Sequence, residues 1–367
     1  MKTVYNKRYI CLLPVFICLI CCQLLGCHRK QETEHNTEHK LEVHFIDVGQ
    51  GDCTLILCDG HAMLIDAGDE SQGTKVQKYL RELGVNTLDY IIGTHPDADH
   101  IGGLDVILTK FDCDTIIFPD IKSDTMAYKR VMETIRYKGY SVTSPEVSKT
   151  YLLGEATFTI LGPVKTYEEE SNNYSVALKV SYGENSFIFL GDGEEEAQLD
   201  ILQSKADVSA DVLKAGHHGS SDSANAVFTE AVNPDYAVIS CGAGNDYGHP
   251  HARTLRLFRE LGIQVFRTDE QGTVTAISDG NMIAWSCKPS ETWQAGVYKG
   301  SNGLTGNTES DEDLIDAKYI LNTNSLKFHR PDCESVLDMN KRNRQGCNLS
   351  REEIIDMGYI PCNRCCP

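Results

Sequence analysis

The sequence predicts an α/β protein in which helices cover the outer faces of two β-sheets, followed by a small separate C-terminal module. Three observations carry this. Between Leu41 and Ser286, short runs rich in β-branched and aromatic residues alternate with helical segments in two successive mixed halves, which fits a four-layer sandwich. The length of 367 residues suits one large domain and a small one. The stretch 301–313, rich in Gly, Ser, Asn, Thr and acid, breaks the pattern as a linker and leaves a cysteine-bearing tail beyond it.

In chain order, Val43, Phe45, Ile46 and Val48 precede Gly49-Gln50-Gly51-Asp52, and Thr54–Leu57 follows, as expected of two strands around a glycine turn. Met63–Ile65 reads as a further short strand ending at Asp66-Ala67-Gly68. Helices are expected over Lys75–Leu83, Ile101–Thr109 and Tyr128–Tyr137, with strands over Leu88–Ile92 and Thr115–Phe118 between them. Strand-like segments Thr157–Leu161, Ser175–Tyr182 and Ser186–Leu190 follow. The second half continues the mixture. Its helices are expected over Glu194–Gln203, Ala224–Ala231 and Thr254–Leu261, its strands over Val212–Lys214, Tyr236–Ser240, Gln264–Arg267 and Thr273–Ile277.

The first 26 residues set the compartment. Lys2, Lys7 and Arg8 give a positive start, Ile10–Leu25 is almost wholly apolar, and Leu24-Leu25-Gly26-Cys27 closes the run. That is the order of a secretory signal, and the apolar run is short against the ~20 residues of a membrane-spanning helix. The ending resembles a bacterial lipobox, which implies lipidation of Cys27 and an exported protein held at the cell membrane. An uncleaved anchor helix is the alternative. Residues 27–40 read as a polar tether, 41–286 as the main domain, 287–316 as linker and 317–367 as the tail module.

Net charge of −19 repels polyanions at long range, so a nucleic-acid substrate needs a local basic or metal-rich patch. Fifteen cysteines suggest a disulfide framework, but Cys11, Cys18, Cys21 and Cys22 fall in the signal. Cys53, Cys58 and Cys241 sit singly in apolar runs, the pattern of buried free thiols.

The densest chemistry lies in Thr94-His95-Pro96-Asp97-Ala98-Asp99-His100, between an expected strand and an expected helix. Imidazole and carboxylate at this density suit a divalent cation, whereas a solvated acidic turn is the bland reading. More candidate ligands follow other strand ends: Asp192 after Gly191, His217-His218-Gly219-Ser220, and His249-Pro250. Loops at strand ends gather along one edge of an α/β sheet, where ligands bind.

The loop at His95 resembles the H-x-H-x-D-H signature of metallo-β-lactamase-fold hydrolases, with Asp97 in place of the second His. Together with Asp47-Val48-Gly49-Gln50-Gly51-Asp52, Leu64-Ile65-Asp66-Ala67-Gly68, His217-His218-Gly219-Ser220 and Tyr247-Gly248-His249-Pro250, it is similar to the soluble domain of ComEC competence proteins over about Leu41–Ser286. The resemblance implies a metallo-β-lactamase αββα sandwich and two divalent cations, Zn or Mn. It places one cation on His95 and Asp97, the second on Asp99, His100 and His217, and Asp192 between them. His249 would face the substrate or complete a metal shell, Asp66 would support a ligand from behind, and His218 would be a neighbour. The family's third-motif His is missing, with Asn172 or Asn173 in that region. The implied chemistry is hydrolysis of a phosphodiester, with Asp99 or Asp192 accepting a proton. The substrate would be extracellular DNA or a small phosphocholine-type diester. A surface binding module with a degenerate site is the non-enzyme alternative.

In the tail, His329 and Cys333 have H-x3-C spacing, and Cys362 and Cys365 have C-x2-C spacing. Four such ligands match a closed structural zinc site, and a module this small has little core without one. The tail resembles the metal-binding domain of Ada DNA-repair proteins, with His329 where that family has its first Cys. A disulfide-linked tail is the competing reading. Arg342, Arg344, Arg351 and Arg364 make this end more basic, compatible with a weak nucleic-acid contact.

Overall fold

The structure, a computed structural model, describes residues 39–167, 171–296, 317–331, 333–337, 339, 343–347 and 349–367. Cys27, the signal before it and residues 297–316 of the expected linker lie outside the described residues. Among the described residues no helix is long and apolar enough to cross a membrane.

Two sheets form the centre of the main domain. In chain order the first contains β1 (Leu41–Phe45), β2 (Thr54–Cys58), β3 (His61–Ile65), β4 (Thr87–Ile92), β5 (Asp112–Ile117) and β6 (Val142–Thr143). The second contains β7 (Thr150–Leu153), β8 (Ala156–Ile160), β9 (Leu178–Tyr182), β10 (Asn185–Phe189), β11 (Val212–Lys214), β12 (Tyr236–Ile239) and β13 (Gln264–Arg267). The chain then returns to the first sheet with β14 (Val274–Ser278) and β15 (Ile283–Trp285). The spatial orders are β15-β14-β1-β2-β3-β4-β5-β6 and β13-β12-β11-β10-β9-β8-β7. In each sheet one half is antiparallel, while β3 to β6 and β10 to β13 pair in parallel.

The packing follows from which faces are apolar. Phe45, Ile56, Met63 and Ile92 of the first sheet meet Phe158, Val180, Phe187 and Phe189 of the second in one core between the sheets. Burying a side chain of this size contributes about 1.5–3 kcal/mol. The outer face of the first sheet is covered by α1 (Gly73–Glu82), α3 (Leu104–Lys110) and α4 (Met126–Lys138), with the short α2 (Ala98–Ile101) ahead of α3. Val76 and Leu80 of α1, and Ala127, Val131 and Ile135 of α4, are buried at spacings of four. Thr125 caps α4 by accepting from the Tyr128 amide. The second sheet is covered by α5 (Glu195–Gln203), α6 (Ala226–Val232) and α7 (Ala252–Glu260), which bury Ile201, Phe228, Leu255 and Phe258. The order helices, sheet, sheet, helices is the expected αββα sandwich.

Three departures from the sequence reading have physical causes. The helix expected over Ile101–Thr109 begins at Ala98 and breaks at Gly102-Gly103, where the backbone presses on Ala67 and Gly73. The strands β6, β7 and β15 are short and lie at sheet edges, where little burial marks them in the sequence. Residues 287–296, read as the start of a linker, pack back on the domain instead. Trp293 and Ala295 join the outer core, Ser290 donates to the Val265 carbonyl, and Arg267 donates to the Gln294 carbonyl.

The tail has its own small sheet, ordered β18 (Arg344–Cys347), β16 (Tyr319–Asn322), β17 (Lys327–His329), β19 (Ile360–Pro361). Its core is slight: Leu321, Phe328, Cys347, Ile354 and Tyr359 on one side, Ile320 and Val336 with cysteines on the other.

Candidate metal centre

Every candidate ligand of the main domain follows the C-terminal end of a strand in a parallel pair: Asp66 after β3, His95–His100 after β4, Asp192 after β10, His217 and His218 after β11 and His249 after β12. The two sheets thus deliver side chains from far apart in sequence to one edge. Gly51 lets the strand turn after β1 close on the metal loop. A Cβ there would lie 2.3 Å from the Asp99 carbonyl, and the Asp52 amide donates to that same carbonyl.

Hydrogen bonds fix the tautomers. His100 Nδ1 donates to Asp66 Oδ2 at 2.8 Å, and Asp66 also accepts from the Thr94 amide at 2.8 Å and its hydroxyl at 2.6 Å. His218 Nδ1 faces Asp52 Oδ1 at 3.2 Å and the Ser240 carbonyl at 3.1 Å, both acceptors only, so it carries the hydrogen. In the neutral rings that a metal requires, the Nε2 atoms of His100 and His218 are then the bare ones, and they face each other at 3.3 Å. Asp99 Oδ2 lies 3.1 Å from His218 Nε2, and Asp192 Oδ1 lies 3.1 Å from His100 Nε2. Four such atoms converging at these separations need protons or a metal cation among them to offset their repulsion. Tetrahedral zinc, with ligands at ~2.0–2.2 Å, spaces its ligand atoms about 3.3 Å apart. The donor set fits a divalent cation.

A second, wider group adjoins it. Among the described residues His95 Nε2 is buried without a hydrogen-bond partner, 3.7 Å from Asp97 Oδ2 and 4.0 Å from Asp192 Oδ2. His217 Nε2 lies 3.7 Å from the same Asp192 oxygen. Asp192 stands between the two groups, its amide held by the Ser175 hydroxyl at 3.0 Å. Asn173 is buried and accepts from the Glu194 amide at 3.0 Å, while Asn172 donates to Glu194 Oε1 at 2.9 Å. Both asparagines are thus spent on holding the loop that carries Asp192.

The electrostatics match. Burial alone would push the His100 and His218 imidazoles down, but facing carboxylates, Asp192 foremost, raise both well above the ordinary histidine range. Burial opposes ionisation of Asp192 too, yet His100 and His218 hold it well below the ordinary carboxylate range. Burial and His100 push His95 down to about 3, leaving it neutral. Burial raises Asp97, the outermost of these carboxylates. A field that binds protons so firmly on two imidazoles also draws a cation to them.

The pair His217-His218 differs from the sequence reading. His217 was expected with Asp99 and His100, with His218 as its neighbour. The structure puts His218 there, fully buried, and leaves His217 at the rim with Nδ1 3.5 Å from Glu194. The cause is backbone conformation: His217 and His218 both have positive φ, 46° and 54°. Two non-glycine residues held there cost about 1–3 kcal/mol each and turn both side chains toward the edge of the sheet. His218→Ala should accordingly lower metal content more than His217→Ala, which elemental analysis of the two variants checks.

Residues without a role in the sequence reading complete the site. Asp52 orients His218, and the buried Lys214 ammonium pairs with Asp52 Oδ2 at 2.8 Å. Burial opposes ionisation of Asp52, but Lys214 and His218 bring it down to about 2. Gln50 bonds His249. Asp66 holds His100 through Nδ1. Removing such a support typically weakens metal binding 10–100-fold, so Asp66→Ala should do so by about that factor in a competition titration with a chromogenic chelator.

In the tail, the ligand atoms of His329, Cys333, Cys362 and Cys365 lie within 4.8 Å of one another. Among the described residues both His329 ring nitrogens are buried without partners, and Cys333, Cys347, Cys362, Cys365 and Cys366 are all free of disulfides. Cys362 accepts from the Arg364 amide and Cys365 from the Arg330 amide, each at 3.4 Å. Soft sulfur donors with one imidazole fit zinc.

The chain is similar to several known proteins. The chain is 31% identical over 251 residues to ComE operon protein 3 of Bacillus subtilis, covering 64% of this chain and 32% of that one. It is 29% identical over 238 residues to Recombination protein 2 of Haemophilus influenzae, covering 64% and 28%. This chain thus spans about a third of the length of the curated relatives it matches. Among solved structures, the metallo-beta-lactamase fold protein YhfI from Bacillus subtilis superposes with a TM-score of 0.43 at 13% identity, over 67% of this chain and 100% of that one. The model of the metallo-beta-lactamase superfamily matches residues 46–243, more than half of the chain. That span holds Asp52, Asp66, the His95–His100 loop, Asp192, His217 and His218, and the chain belongs to this superfamily.

Proposed function

We propose that this metal-dependent hydrolase is an exported phosphodiesterase that degrades DNA outside the cell, in keeping with its likeness to competence and recombination proteins. The observation that carries the reading is the position of Asp192 between two donor groups. Cations held there, Zn or Mn, would lower the pKa of bound water to ~7 and stabilise the charge of an in-line displacement at phosphorus. The chain's own residues do the rest. Asp66 and Asp52 hold His100 and His218 with Nε2 directed at the carboxylates, where a metal would displace the proton. Asp99, with its side chain 35% exposed, is more open than Asp192 and is placed to take the attacking water's proton. Purified protein supplied with Zn or Mn should degrade single- or double-stranded DNA. Turnover of bis(p-nitrophenyl) phosphate without any DNA cleavage would favour the second reading, a small-molecule phosphodiester esterase of phosphocholine type. The net charge of −19 supports that second reading. Metal binding without turnover of either substrate would leave a surface binding module.

The tail adds a structural zinc on His329, Cys333, Cys362 and Cys365. A strong chelator should speed hydrogen exchange over 317–367 while 41–286 keeps most of its protection; unchanged exchange in the tail would contradict this. Lipid anchorage through Cys27 belongs to the same proposal. Cys27→Ser should release the protein from membranes or leave a precursor, read by fractionation and mass spectrometry.

A further inference from the structure

His249 stands at the rim of the metal centre. Its ring centroid is 5.5 Å from that of His217 and 6.0 Å from that of His218. The backbone is pinned on both sides by Asn245, whose Oδ1 accepts from the His249 amide at 3.0 Å and whose Nδ2 donates to the His249 carbonyl at 2.6 Å. An imidazole so placed has three possible uses: cation ligand, base or hydrogen-bond donor. Which one applies depends on where its hydrogen sits.

Gln50 decides this. The Gly242 amide, an unambiguous donor, reaches Gln50 Oε1 at 3.1 Å. The approach is close because residue 242 has no side chain; a Cβ there would lie 2.6 Å from the Gln50 backbone nitrogen. Turning the Gln50 amide over would set its NH2 against the Gly242 N–H, two donors face to face. The Gln50 Nε2 therefore points at His249 Nδ1, 3.3 Å away, and donates to it. Nδ1 is then the acceptor, so the neutral ring carries its hydrogen on Nε2, which makes no hydrogen bond among the described residues. An Nε2–H cannot ligate a cation or take a proton, because it has no lone pair in the ring plane.

We propose that Gln50 locks His249 in the Nε2–H tautomer and that this N–H donates to a non-bridging phosphoryl oxygen of the substrate. His249 is then a catalytic hydrogen-bond donor, and Gln50 is a positioning residue. The substrate half rests on the phosphodiesterase reading; the tautomer half does not. Donors of this kind act on charge that grows in the transition state, and losing one costs about 10²–10³-fold in kcat.

The test uses the zinc-loaded full chain with its histidine rings labelled with 15N, the His249 signals being identified by their loss in His249→Gln. The expected spectrum shows the hydrogen on Nε2, and inorganic phosphate shifts that signal. Gln50→Glu presents only acceptors to the ring, so the hydrogen should appear on Nδ1. Its kcat for bis(p-nitrophenyl) phosphate should fall about 10²–10³-fold, with zinc content unchanged and KM little changed. Gln50→Met removes the lock without a new charge and should fall short of wild-type kcat as well. A hydrogen on Nδ1 in the wild type, or wild-type kcat in Gln50→Glu, would overturn the proposal. If the wild type turns over no phosphodiester, the phosphodiesterase reading fails, and the ring signals with and without phosphate still decide between a locked donor and none.

Discussion

Asp192→Asn should leave a folded protein that holds less metal and, on the proposed phosphodiesterase reading, should cut turnover about a thousandfold, equivalent to about 4 kcal/mol of barrier. The substitution keeps the shape and removes the charge. His100, His218, His217 and His95 all face this carboxylate, at 3.1, 3.4, 3.7 and 4.0 Å. An amide offers one weak acceptor oxygen where the carboxylate offers two charged ones, so it no longer offsets the repulsion between neighbouring cations. The fold should survive, because the Asp192 amide keeps its bond to Ser175 and the side chain lies at a strand end outside the apolar cores. Elemental analysis, turnover and thermal melting together check the result. A variant with wild-type metal content and wild-type turnover would refute the role of Asp192.

Lys214→Met should destabilise the domain by about 3–5 kcal/mol, because it strands a buried carboxylate without its partner. Lys214 is 2% exposed and its ammonium donates to Asp52 and to the Ala215 carbonyl. At roughly 2–4 °C per kcal/mol for a domain of this size, the melting temperature should fall by roughly 6–20 °C. Lys214→Met combined with Asp52→Leu removes both charges and should regain part of that loss. The double variant should still bind metal about 10–100-fold more weakly, since His218 has lost the carboxylate that orients it. Melting and metal titration of both variants separate the two effects; a single variant that melts like the wild type would show that the pair holds nothing in place.

How far the sequence reached depends on the range of the interaction that fixes each feature. The strands Val212–Lys214 and Gln264–Arg267 and the dense ligand loop His95–His100 were legible because local pattern defines them. Asp192 was legible because it follows a strand and a glycine. The choice between His217 and His218 was not, since adjacent histidines have the same spacing and what holds His218 inward is its bonding to Asp52 and the Ser240 carbonyl, both distant in sequence. Lys214 looked like the polar end of a strand. Its partner Asp52 lies 162 residues earlier, in the loop between β1 and β2 of the other sheet, and no local signal joins the two. Gln50 and His249 meet across 199 residues in the same way. Residues 287–296 lack periodicity, and their docking through Arg267 and Trp293 depends on surfaces that exist only once the second sheet has formed.

The central claim is that the edge of the two sheets holds catalytic cations. The direct measurement is turnover of bis(p-nitrophenyl) phosphate by one preparation before chelation, after chelation, and after return of Zn or Mn, with metal content followed alongside. Activity should vanish with the metal and return in proportion to occupancy of the Asp99, His100, His218 and Asp192 group. Equal turnover in stripped and loaded protein would contradict it.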